Sequence, residues 1–167
     1  MKEVMKMKMA TEQEAIDLLT HLKIHYQQVD HPAIWTMDDP NAPKGLPEVK
    51  NLLLKKKKSD QFYLYLTDNT KVDFKSLADQ LEIAHSRLTF ASEDELENLL
   101  GVVSGMVTPL ALMHDTKHEV QVLLNSRLKK LPLISAHPNT NTATILLTWT
   151  DLLKVLVNIE HEPVMVD

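Results

Sequence analysis

The sequence predicts an α+β fold with a mixed, mostly antiparallel sheet. Three observations carry this. Short strand-like runs and four helical segments follow one another at irregular spacing, not in the regular β-α-β-α alternation of a doubly wound sheet. The chain has 167 residues, of which 44% are hydrophobic and 25% charged, the balance of an ordinary globular protein. No internal repeat, low-complexity tract or linker divides it, so residues 1–167 are expected to form one domain. At this length about 70% of the unfolded chain's surface is buried on folding, and no covalent staple is needed.

The elements follow in order. Thr11-Glu12-Gln13-Glu14 matches the S/T-x-x-E capping box that opens a helix. Ile16, Leu18, Leu19, Leu22 and Ile24 then mark a helical apolar face, ending near His25. Residues 26–31 read as a strand closed by Pro32. Residues 37–49 hold Pro40, Pro43, Gly45 and Pro47, a density of breakers that predicts a loop. Residues 50–56 and 61–67 form a predicted hairpin turning at 57–60. Phe62, Leu64 and Leu66 lie on one face of it, Tyr63 and Tyr65 on the other.

Asp68 and Asn69 turn the chain toward a short predicted strand at 71–73. Asp73 is a good N-cap for a helix over 74–81. A strand at 88–90 precedes a second capping box, Ser92-Glu93-Asp94-Glu95, whose helix stops at Gly101. Residues 103–115 are apolar but irregular. Strands are predicted at 120–124, 132–136 and 143–147. Thr148 or Thr150 caps a last helix through Val157, and 163–166 is a terminal strand.

Composition excludes several functions. Cysteine is absent, which removes disulfides, thiolate nucleophiles and cysteine-based metal sites. Gly45, Gly101 and Gly105 are the three glycines, and neither a dinucleotide fingerprint nor a P-loop can be written with them. Net charge is −5 with histidine neutral, so a strongly basic nucleic-acid binder is not expected, although a local basic patch is compatible with that total. Eight histidines make the charge sensitive to pH below about 6.5. The start, residues 1–6, carries charges throughout and lacks the apolar core of a signal peptide. No run approaches a bilayer span. The cytoplasm is the expected location.

Four segments have the residue types for chemistry, and each also has an ordinary reading. The densely polar stretch from His137 through Asn141 and Thr142 to Thr144 lies between apolar strands. It can present donors and acceptors from a rigid scaffold, or be a solvated turn. The stretch around Ser104 and Gly105, closed by Thr108 and Pro109, can aim free amides at a developing oxyanion, or be a helix cap and a connection. It is not a nucleophile elbow, because G-x-S-x-G is absent. Lys55, Lys56, Lys57 and Lys58 can meet RNA phosphates or form a solvated hairpin tip. Lys50 stands apart from that run, next to Asn51. His114 and His118 are spaced i, i+4, yet strand-like residues follow them and H-E-x-x-H is absent. His21, His25, His31, His85 and His161 read as surface or satisfied structural residues. Trp35 and Trp149 read as core-filling.

At these same segments the sequence resembles the YbaK-type trans-acting aminoacyl-tRNA deacylases, in the prolyl-tRNA-editing branch related to the insertion domain of bacterial prolyl-tRNA synthetases. The resemblance covers nearly the whole chain. It is carried by Val49-Lys50-Asn51-Leu52-Leu53-Leu54-Lys55, Lys71-Val72-Asp73-Phe74-Lys75, Leu88-Thr89-Phe90-Ala91-Ser92, Leu99-Leu100-Gly101, Gly105-Met106-Val107-Thr108-Pro109-Leu110 and His137-Pro138-x-x-Asn141-Thr142-Ala143-Thr144.

The resemblance implies a sheet curled into a partial barrel, and hydrolysis of the ester joining a wrong amino acid to tRNA. Alanine on proline tRNA is the foremost substrate it implies. It assigns catalysis to Lys50 and the Gly105 loop. Asn51, Thr108, Pro109, His137, Asn141 and Thr142 would shape the substrate pocket, and Lys55 to Lys58 would meet RNA. Water would attack, helped by the neighbouring ribose hydroxyl, with no cofactor, metal, membrane or DNA involved. Prolyl-tRNA synthetase is an implied transient partner. Ala111 and His114 stand where the family usually has glycine and asparagine. Cysteinyl-tRNA(Pro), another small noncognate ester, or a catalytically silent tRNA- or synthetase-binding role are the alternatives.

Overall fold

The computed structural model describes residues 9–36 and 38–167. The charged start at residues 1–6 and position 37 of the predicted loop lie outside them. Among the described residues eight strands divide between two sheets. Helix α1 (Glu12–His21) leads to β1 (Gln27–Asp30), which pairs antiparallel with β7 (Ala143–Leu147). On its other edge β7 pairs antiparallel with β6 (Ile134–Ala136). The second sheet is built on the hairpin of β2 (Lys50–Lys56) and β3 (Phe62–Thr67). β4 (Leu88–Phe90) extends it antiparallel beside β2. β5 (Val120–Asn125) and β8 (Val164–Val166) extend it in parallel beyond β3. Among the described residues the three-stranded sheet is antiparallel and the five-stranded sheet is mixed, so the pairings taken together are mostly antiparallel, and neither sheet closes, as is compatible with a partial barrel.

Helices α2 (Phe74–Gln80), α3 (Glu93–Leu100) and α4 (Trp149–Asn158) complete the molecule. The predicted caps form: Thr11, Asp73, Ser92 and Thr148 each accept from an amide in the first turn of their helix. Gly101 ends α3 in the left-handed region, at φ 65°. Among the described residues no helix is long and apolar enough to cross a membrane.

Every residue of β3 is buried, because both faces of its sheet are covered. Phe62, Leu64 and Leu66 join the main core with α1, α3 and α4. Tyr63 and Tyr65 face a smaller cluster built on Leu77 of α2. The strand expected at 71–73 does not form. Those residues are unpaired, and Asp73 is spent capping α2, its carboxylate accepting from the Ser76 amide at 3.0 Å. The irregular apolar stretch contains a 3-10 helix, Pro109–His114, with proline in its first turn.

Candidate active site

Two hollows share a wall. The larger, about 620 Å³, is lined by Lys50, Asn51, Gly105 and His137 among others. The smaller, about 480 Å³, lies under the proline-rich loop and takes in Pro43, Pro47, Ser135 and Thr144. Ile34, Val49, Asn51 and His137 face both. Segments distant in sequence thus converge on one place.

Lys50 and Asn51 reach it because β2 begins there. β4 covers β2 only from Leu54 to Lys56, and the Leu53 carbonyl accepts from the Ala91 amide at 3.0 Å. Main-chain groups alternate between the two edges of an antiparallel strand, so those of Asn51 turn to the same side as Leu53, beyond the end of β4. Side chains alternate between faces. Lys50 therefore lies on the face of the smaller cluster and Asn51 on the face of the main core. The Lys50 ammonium donates to the Thr70 carbonyl at 3.2 Å, which uses one of its three donors.

Gly105 sits at φ 86°, and a β-carbon there would lie 2.8 Å from the Trp35 carbonyl oxygen. The residue must be glycine for both reasons. Among the described residues nothing accepts from its amide. Gly105→Ala is expected to cost about 1–3 kcal/mol, because strain and a backbone clash act together. Urea unfolding checks this, and an unchanged midpoint would refute it.

Thr108 joins this loop to the opposite wall. Its hydroxyl donates to the His137 carbonyl at 2.6 Å and accepts from the Leu110 amide at 3.3 Å. Burial pushes the His137 imidazole below its ordinary value, and the neighbouring His31 adds to this, while its bond to the Ala143 carbonyl opposes them. That carbonyl can only accept, so at 3.3 Å it places the proton on Nδ1. The ring is then neutral, with Nε2 unprotonated.

Other expected residues lie off the cavity walls. Thr108 is fully buried with its hydroxyl engaged, and Pro109 is buried at the head of the 3-10 helix. Neither touches the hollow; both hold it in shape. Asn141 and Thr142 act through their carbonyls, which accept from the amides of Ile34 and His31 at 3.1 and 3.0 Å, and so fix the segment leading to the site. Besides His137, Thr144 is the residue of that stretch that lines a cavity, where its hydroxyl meets His31 Nε2 at 2.9 Å.

The lysines also divide. Lys55 is ion-paired with Glu95 and lies over the Phe62 ring. Lys57 and Lys58 are exposed at the hairpin tip. Six strand steps separate Lys50 from Lys56, about 20 Å. His114, one of the two departures from the family pattern, pairs with Glu14 of α1 at 2.7 Å.

Trp149 packs on the core, but Trp35 does not fill it. Trp35 is 59% exposed, and with Lys71, Phe74 and Phe90 it lines the larger hollow. The sequence did carry a signal for it: an aromatic between Pro32 and the breaker-rich loop, outside any periodic segment, has no regular face to bury.

The arrangement suits an electrophilic centre held between an ammonium, a free amide and a neutral imidazole. A model of the aminoacyl-tRNA editing domain matches residues 31–155. The chain is 34% identical over 154 residues to the prolyl-tRNA editing protein ProX of Acetoanaerobium sticklandii, covering 90% of this chain and 93% of that one. It is also 34% identical to the prolyl-tRNA synthetase associated domain-containing protein 1 of Danio rerio, covering 91% of this chain and 84% of the relative. The solved structure of a candidate trans-editing enzyme for prolyl tRNA synthetase superposes with a TM-score of 0.71 at 22% identity, covering 93% and 94% of the two chains; that likeness speaks for the fold.

Proposed function

The chain belongs to the aminoacyl-tRNA editing domain family, and from that premise we propose that it is a trans-editing hydrolase that deacylates mischarged proline tRNA, with alanine as the preferred acyl group. The observation that carries this reading is the presence of Lys50, Gly105 and His137 on the walls of one cavity. Hydrolysis of an aminoacyl ester passes through a tetrahedral oxyanion. The Gly105 amide and the Lys50 ammonium are the donors available to stabilise it. No side-chain nucleophile is assigned; water attacks, assisted by the vicinal ribose hydroxyl of the tRNA. Asn51 offers its main chain on the uncovered edge of β2 to the acyl group. Thr108 is a positioning residue, holding the Gly105 loop to the His137 carbonyl.

Such an activity answers a physical limit. A pocket built for proline cannot strongly reject a smaller apolar residue, since each missing methylene is worth about 1–3 kcal/mol. A second pocket that excludes the pyrrolidine ring completes a double sieve. His137 belongs to the wall shared by the two hollows, the place from which a ring can be refused. The exposed tip lysines Lys57 and Lys58 and the half-buried Lys56 beside them would meet more distant parts of the tRNA. The name of the Danio rerio relative supports prolyl-tRNA synthetase as a transient partner.

The test is a panel of Ala-, Cys- and Pro-tRNA(Pro) with wild type and His137→Ala. Wild type is expected to prefer Ala-tRNA(Pro). His137→Ala is expected to raise hydrolysis of Pro-tRNA(Pro) relative to Ala-tRNA(Pro) about tenfold in kcat/KM, on the scale of one or two methylenes. An unchanged ratio would remove His137 from the sieve. Preference for the cysteinyl ester would move the substrate, and inactivity on all three would leave a binding module.

A further inference from the structure

The large exposed aromatics are gathered at one place. Among the described residues, Trp35 at 59% and Phe90 at 57% are the exposed aromatics of the apolar set, and both line the larger hollow. Phe90 stands edge-on to Phe74, with ring centroids 5.7 Å apart at 70°. Lys50 and Lys71 line the same hollow. Water-exposed rings cost free energy unless something covers them, and neither ring serves the main core.

Resting on the reading of this hollow as an aminoacyl-tRNA site, we propose that Trp35 and Phe90, backed by Phe74, form a stacking shelf for the unpaired bases at the 3′ end of the tRNA, with Lys71 meeting their phosphates. The acyl group is attached to the terminal ribose. If it lies against Gly105 and His137, the preceding nucleotides must leave past the rest of the hollow's lining. Rings there suit base faces of any identity, and base–aromatic stacking combined with nearby cations is how single strands are held without sequence readout. Lysine serves phosphate as a point charge. The shelf accounts for binding of the shared 3′ end, while the acyl pocket supplies selectivity.

The experiment uses the full chain, a five-nucleotide single-stranded RNA ending in C-C-A, and Ala-tRNA(Pro). Trp35→Leu and Phe90→Leu keep an apolar side chain and remove the ring. Each is expected to weaken binding of the RNA about 5- to 150-fold and to raise KM for Ala-tRNA(Pro) more than it lowers kcat. Lys71→Gln is expected to reduce the slope of log affinity against log salt by about 0.7, the value for one single-strand phosphate contact; the leucine variants leave that slope in place. Trp35→Phe and Phe90→Tyr retain binding if rings are what matter. If wild type deacylates Ala-tRNA(Pro) and the leucine variants bind RNA as it does, the shelf is refuted and editing stands. If wild type does not deacylate but binds RNA in a ring-dependent way, editing falls and the shelf stands. Equal loss in the leucine and the conservative aromatic variants overturns stacking.

Discussion

Lys50→Ala is expected to lower kcat for Ala-tRNA(Pro) about 100- to 1,000-fold, with a much smaller change in KM. This is the loss found when one preorganised donor is removed from a developing oxyanion, about 2.7–4 kcal/mol. Little of that loss can come from a weakened fold. Lys50 is half-buried at the first position of β2, and its single side-chain hydrogen bond among the described residues is to the Thr70 carbonyl at 3.2 Å. Truncating such a residue should cost no more than about 0.5 kcal/mol of stability, so a thermal melt close to wild type is part of the prediction. Lys50→Arg should restore little, because a planar guanidinium cannot reproduce the position of a compact ammonium. Rates of Lys50→Ala and wild type that agree within a factor of three would take Lys50 out of the reaction.

The parts of this protein legible in the sequence are those fixed by short-range rules. Thr11, Asp73, Ser92 and Thr148 cap helices because each side chain meets the amide three residues ahead, a relation contained in a few residues. The β2–β3 hairpin is legible from its alternation and its polar turn. Lys50 stands apart from the lysine run and His137 opens a polar stretch, but the family resemblance is what favours function over the ordinary reading at either.

The placements that the sequence does not reveal share one cause. Lys71, Val72 and Asp73 have strand-like composition, but pairing needs a partner that only the tertiary fold supplies. The fate of Trp35 depends on Gly105, seventy positions away, whose backbone lies against the Trp35 carbonyl. Asn141 and Thr142 bring polar side chains near the site, yet the fold uses their carbonyls to hold β1 and the segment after it. The lysine run is continuous in sequence but extended in space. A strand carries it away from Lys50, and Glu95 neutralises Lys55. Adjacency in sequence translates into adjacency in space on a helix or a turn, not along a strand.

Asp115→Ala is expected to destabilise the protein by about 3–5 kcal/mol, the cost of leaving one member of a buried ion pair uncompensated. For a chain of this size that lowers Tm by about 6–20 °C. Asp115 and His161 are 3% and 5% exposed and meet at 2.9 Å. The Asp115 carboxylate also accepts from the Glu119 and Val120 amides at 3.0 and 2.9 Å, so one residue ties the end of the 3-10 helix, the start of β5 and the segment before β8. Burial alone would raise the Asp115 carboxyl, but the bonds from His161 and the two amides outweigh it and hold it below its ordinary value. Burial alone would lower His161, but the Asp115 bond, the Ile159 carbonyl and the charges of Asp115 and Glu160 outweigh it and hold it above. Both ring nitrogens of His161 face acceptors, which an imidazolium satisfies and a neutral ring does not. The His118 ring lies beside it, tilted by 35° with ring centroids 5.0 Å apart.

The signs follow from these directions. The raised His161 contributes stability that is complete below its ordinary value of 6.5 and lost as pH rises through its folded value. The lowered Asp115 contributes stability that is complete above 3.8 and lost as pH falls through its folded value. The pair therefore supports the fold fully between those limits. In urea unfolding, the stability difference between wild type and His161→Gln should shrink as pH rises above 6.5. A difference that stays constant from pH 6 to 9 would mean that His161 is neutral in the fold, and the large penalty assigned to Asp115→Ala would lose its basis, since no buried cation would remain to be stranded.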